Sequence, residues 1–181
     1  MIIANALKFL FDGAVADCVF LGVPKPATTI KYWYGDQKEL LNWITNQNAR
    51  STPNKYPLVW YVLNEYTEFD GWYETDARLV IMQDTRLQEM NDWRNNNSYE
   101  GILEPVCEVV KNILVESQQI EILGSFQDRF KLNAIPNYGI SPQTDDLKTT
   151  NNTNEKSINI DLIDCLTIDF KLRIKAKCLI N

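Results

Sequence analysis

A chain of 181 residues with 45 % apolar and 11 % aromatic content has the material for one packed domain, which excludes an overall disordered chain. A formal charge of −6 and a pI near 4.7 argue against general affinity for nucleic-acid phosphates. No apolar run of roughly 18 residues occurs, so no membrane-spanning helix is expected.

The first twenty residues lack the basic start of a signal peptide, and Asp12 and Asp17 interrupt their apolar run, so intracellular synthesis is expected. Ile2, Ile3, Ala6, Leu7 and Leu10 fall at helical spacing and predict a short first helix. Residues 14–34 are β-rich. Pro24 and Pro26 restrict that stretch to an edge strand or an extended segment. Asp36 to Glu39 reads as a capping box opening a helix to about Asn48, with Leu40, Leu41 and Ile44 on one face, ended by residues 50–54.

Tyr56 to Leu63 is almost continuously apolar and suits a strand buried on both faces. Thr75 to Gln83 reads as a second strand, joined to the first as a hairpin through the long loop 64–74 that holds Asp70 and Gly71. Residues 91–97 read as a polar loop before a long helix from near Ser98. That helix carries Leu103, Val106, Cys107, Val110 and Leu114 on one face, widened by Ile102, Val109 and Ile113. Pro105 then belongs to its first turn; a longer helix would kink there. Residues 139–157 have almost no large apolar side chains and read as a flexible loop or arm. From Leu166 to Ile180 the even positions are apolar, while the odd ones include Asp169, Lys171, Arg173, Lys175 and Lys177. This alternation predicts a long strand with one face in the core and one in solvent.

The chain has no histidine, which removes Ser-His-Asp and Cys-His catalysis and most zinc enzymes. None of its glycines forms a phosphate-binding or nucleophile-elbow motif. Cys18, Cys107, Cys165 and Cys178 form no C-x-x-C and read as reduced core residues. Asp161, Asp164 and Asp169, with Asp145 and Asp146, read as a turn, a solvated strand face and a polar loop. As an alternative, Asp161, Asp164 and Glu100 supply carboxylates for a small metal-dependent hydrolase or nuclease. Lys171, Arg173, Lys175 and Lys177 make a basic stripe that reads either as a solvated sheet face or as a contact for DNA or an acidic neighbouring subunit. Phe69, Trp72 and Tyr73, with Tyr66, fall at an expected loop tip, where they either fold back as a satellite cluster or form a subunit interface.

Three strings in order carry a resemblance. Tyr34-Gly35-Asp36 runs into a helix and is followed by Lys55-Tyr56-Pro57-Leu58-Val59-Trp60. Ser98-Tyr99-Glu100 leads into Ile102-Leu103-Glu104-Pro105-Val106. Asp161-Leu162-Ile163-Asp164-Cys165-Leu166-Thr167-Ile168 passes into the last strand. Over residues 30–181 the chain resembles the tail-completion and head–tail neck ring proteins of tailed bacteriophages, as in crAss-like phages. Pro57 and Pro105 stand without the full surrounding pattern of that family, and the 139–157 stretch is long for it.

The resemblance implies a single tail-terminator-like α+β domain over 1–181, a small mostly antiparallel sheet flanked by two main helices. It implies a virion structural protein of the neck or tail, made in the host cytoplasm, without catalytic residues, cofactor or metal. Its partners would be further copies in a ring of about six or twelve, neighbouring portal, neck or tail proteins, and packaged DNA by non-specific contact. On this reading Phe69, Trp72, Tyr73, Lys171, Arg173 and Lys175 lie at the subunit interface, and the arm at 139–157 orders on contact with a neighbour.

Overall fold

The computed structural model describes residues 2–40, 56–85, 91–125, 128–136 and 162–175, and shows an α+β fold. Helix α1 spans Ile2–Phe11, and strands β1 (Val15–Phe20) and β2 (Val23–Thr29) form a separate two-stranded hairpin. Strand β3 (Lys31–Gly35) leads into a helical turn at 37–40, and β4 (Leu58–Val62), β5 (Thr67–Phe69) and β6 (Trp72–Thr85) follow. Next comes a long helix, α2, in three joined parts: α-helical Asn91–Arg94, π-helical Asn95–Leu103 and α-helical Glu104–Glu116. Strands β7 (Ile120–Leu123), β8 (Lys131–Ile135) and β9 (Leu162–Lys175) complete it. The expected helix beyond Leu40, the arm at 139–157, Asp145, Asp146, Asp161 and the strand end holding Lys177 and Cys178 lie outside the described residues.

β6 and β9 are the spine of a seven-stranded sheet, antiparallel from Trp72↔Lys175 to Thr85↔Leu162. Each is bordered on its outer side by two strands that share its length. β4 pairs with the last part of β6 and β5 with its first residues; β8 and β7 likewise share the far side of β9. β3 adds to β4 in parallel, so the helix opened at Asp36 begins a crossover, the connection a parallel pair requires. The capping box forms as the sequence indicates. The Glu39 N–H donates to Asp36 Oδ1 at 2.7 Å, and the Asp36 N–H donates to Glu39 Oε2 at 2.8 Å.

One sheet face carries Val59, Tyr61, Leu79, Ile81, Ile168, Leu172 and Ile174 against α1, α2 and the inner side of the hairpin. Helices α1 and α2 lie on this face, and the helical turn opened at Asp36 lies on the other. On the second face Leu40 packs with Leu58, Trp60, Val80, Met82, Ile163 and Cys165, and among the described residues the rest of that face is largely exposed and charged. Tyr32 ties α1 to the sheet by donating to the Ala4 carbonyl at 3.0 Å.

Three sequence expectations change, and the β-rich reading of 14–34 is filled in. Residues 91–97 are helical, not a polar loop. Trp93 meets Phe20 edge to face at 5.9 Å, Arg94 and Ser98 are buried, and Asn97 donates back to the Trp93 carbonyl at 3.0 Å, so tertiary contacts override the weak propensity of the asparagines. Pro105 consequently lies deep in a long helix. The wide π-helical turn ends against it, with the Glu104 N–H bonded to the Tyr99 carbonyl, and so passes a residue that has no N–H to give.

The region 14–34 holds a hairpin turned by Leu21 and Gly22, both at positive φ. Pro24 and Pro26 sit in its outer strand, as an edge position requires, and a bulge lets the Ala27 N–H reach Asp17 Oδ1 at 3.0 Å. Finally, β6 begins at Trp72, so the expected loop 64–74 contains β5 and a tight Asp70-Gly71 turn.

Candidate functional site

The tip of the β5–β6 hairpin is built by register. Phe69 stands opposite Trp72, and Trp72 opposite Lys175. Trp72 therefore starts a central strand, half-buried, instead of standing on a loop. Its ring lies under two cations, with the Arg173 guanidinium at 4.7 Å and the Lys175 ammonium at 5.1 Å. Phe69 stays 79 % exposed. Tyr73 points to the other side of the sheet, where it packs on the core and meets Tyr66 edge to face at 5.4 Å. The structure thus brings Phe69, Trp72, Arg173 and Lys175 together and turns Tyr73 away from them.

The basic stripe is paired within the sheet. Lys171 reaches Glu74 at 2.8 Å, and the hydrogen bond to that carboxylate holds its ammonium above the usual lysine range. Arg173 reaches Glu121 at 2.7 Å, and Arg78 donates from Nε and Nη2 to the two carboxylate oxygens of Asp169 at 2.6 and 2.9 Å. Cross-strand partners thus offset much of the positive charge read from β9 alone. A broad groove of about 730 Å³ crosses this open face over Asn64, Arg78, Lys131, Asp169 and Lys171.

A second polar site lies under the first turns of α2. Asp164 is completely buried, with the Arg94 guanidinium at 3.8 Å, and Ser98 and Tyr99 lie on the same stretch of helix. Burial, then the Asp164 charge, push the Tyr99 phenol well above its ordinary range. Asp164 is therefore neither on a turn nor on a solvated face. Glu100 is exposed and accepts from Asn95 at 2.6 Å, so the buried aspartate and this glutamate do not share one open site. Among the described residues no cluster of three acidic, cysteine or histidine side chains is placed to hold a metal ion.

No protein-family model matches the chain, and no curated protein matches it in sequence.

The signal for the buried pair was present in the alternation. Asp164 has the same parity as Leu166, Ile168 and Phe170, so extending the pattern two residues back puts it on the core side. Its partner Arg94 stood in a stretch read as loop, which hid the pairing.

Proposed function

We propose that the chain is a ring-forming subunit of a phage neck or tail, a head–tail connector or tail-completion protein that surrounds the DNA channel and joins neighbouring virion proteins. One observation supports it most. The β5–β6 tip holds an exposed Phe69 beside a Trp72 braced by Arg173 and Lys175, on the most extensively paired strands of the sheet. Large exposed aromatics on a rigid support are the composition of an interface core. The three-string resemblance adds the setting. DNA contact through the β9 stripe has less support than the sequence offered, because Lys171 and Arg173 already have carboxylate partners.

Sedimentation and electron microscopy of the full chain at rising concentration test this. Closed rings of about six or twelve copies are expected. A chain that stays monomeric and gains thermal stability with millimolar magnesium or manganese would overturn it in favour of the metal-dependent hydrolase.

A further inference from the structure

The β1–β2 hairpin has two unlike sides. Its inner side, Ala16 and Cys18, is buried against α2. Gly101 of the π-helical part makes that fit possible, since a Cβ there would stand 2.2 Å from the Val19 carbonyl oxygen. The outer side presents Val15 and Val19, continued by Leu21 and Val23, the last two each 59 % exposed. Asp17 lies between Val15 and Val19. It accepts from Ala27 and has no cation partner among the described residues. At the β5–β6 tip the arrangement is reversed: apolar Phe69 and Trp72 accompany Lys175, which has no carboxylate partner among the described residues.

The two patches lie at opposite ends of the molecule. The Leu21 N–H is held by Asn97 Oδ1 at 2.8 Å, near the start of α2. The tip lies beyond its other end, where Ile120, shortly after Glu116, pairs with Ile174. The helix between Asn97 and Glu116 separates them by roughly 25–30 Å. Two different patches at opposite ends make a head-to-tail contact, not a self-complementary one. Pro24 and Pro26 in β2 also block strand addition at that edge, which leaves the outer face as the docking surface.

We infer that the β5–β6 tip of one copy docks on the outer face of the β1–β2 hairpin of the next, with Phe69 and Trp72 against Val15, Val19, Leu21 and Val23, and Lys175 toward Asp17. This rests on the ring reading above and names the two surfaces that would build it.

Sedimentation velocity of full-length Phe69→Asp, Val19→Asp and Leu21→Asp, singly and mixed, tests the pairing. The three sites are exposed, and aspartate suits the positive φ of Leu21, so that variant keeps the fold. Wild type associates beyond a dimer. Each variant weakens self-association about ten- to a hundred-fold. An equimolar mixture of a tip variant with a hairpin variant stops at a one-to-one dimer, because one good tip and one good hairpin remain. Wild-type association by Leu21→Asp and Val19→Asp, or a mixture that stays monomeric, would overturn the pairing while the ring stands. A wild type that never associates would overturn the ring itself.

Discussion

Two aspartates on one strand pair with arginines in opposite circumstances. Asp169 lies on the open face and meets Arg78 in a two-pronged bond at 2.6 and 2.9 Å, with the side chains 36 % and 55 % exposed. Asp164 is sealed under α2 and meets Arg94 at 3.8 Å, a looser contact. The better geometry belongs to the pair that matters less to stability. Water screens the exposed pair whether or not the bond forms, while the buried carboxylate has lost its water and depends on what remains. The lesson is that bond length alone does not rank ion pairs; desolvation does.

Removing Arg94 breaks this contrast most sharply. Arg94→Met should destabilise the fold by about 3–5 kcal/mol, because it strands a buried charge. Urea unfolding measures it. Adding Asp164→Leu should recover most of the loss, since an apolar pair of similar volume avoids the desolvation cost. If the double variant were as unstable as the single one, the cost would lie in packing and not in the stranded carboxylate.

The buried end is also the tightly packed end. Gly101→Ala drives a methyl group into the Val19 carbonyl and should cost about 1–3 kcal/mol, with the hairpin pushed off the helix. Hydrogen exchange would localise the loss to β1 and β2. Exchange that rises evenly over the sheet would mean that the hairpin and sheet open as one unit.

How much of this was legible depends on how local the cause was. The capping box at Asp36 and Glu39 and the core face of α2 from Leu103 to Leu114 rest on short-range spacing, and both stand as read. The Tyr56–Leu63 run did give a strand buried on both faces. The helical state of residues 91–97 was not legible, because nothing local favours it; Trp93 and Arg94 are held by Phe20 and Asp164, remote in sequence. The cationic stripe was visible, but its neutralisation was not, since Glu74 and Glu121 come from strands on either side of β9. At the tip the aromatic residues were legible and their arrangement was not, because β6 already begins at Trp72, and strand alternation then sends Trp72 and Tyr73 to opposite sides.

Alkaline titration sharpens the comparison from the buried end. Burial pushes the Cys107 thiol up to about 12, and burial followed by the Asp164 charge does the same for Cys165, while burial raises the Tyr61 phenol to about 12. Their ordinary values are 9.0 for the thiols and 10.0 for the phenol. Above pH 9 the unfolded chain therefore releases protons that the folded chain keeps. Stability is full below about pH 9 and falls as pH rises toward 12, by up to about 1.4 kcal/mol per pH unit for each such group. Thermal melts across that window should show a steepening fall. Cys165→Ala should flatten it, whereas Asp169→Asn on the open face should leave its shape unchanged.

The exposed pair should show the smallest effect, and its salt dependence separates it from the buried one. Arg78→Ala, Asp169→Ala and the double variant should give a coupling of only about 0.2–1 kcal/mol at low ionic strength. At 1 M salt the Debye length shrinks to about 3 Å, so most of that coupling should disappear. The same cycle on Arg94 and Asp164 should hardly change with salt, because dissolved ions do not reach the buried carboxylate. A salt-insensitive Arg78–Asp169 coupling would mean that its two-pronged geometry, and not its charge, fixes the register between β6 and β9. In that case the groove floor, where both residues lie, would be held by directional bonds as firmly as the buried end is held by desolvation.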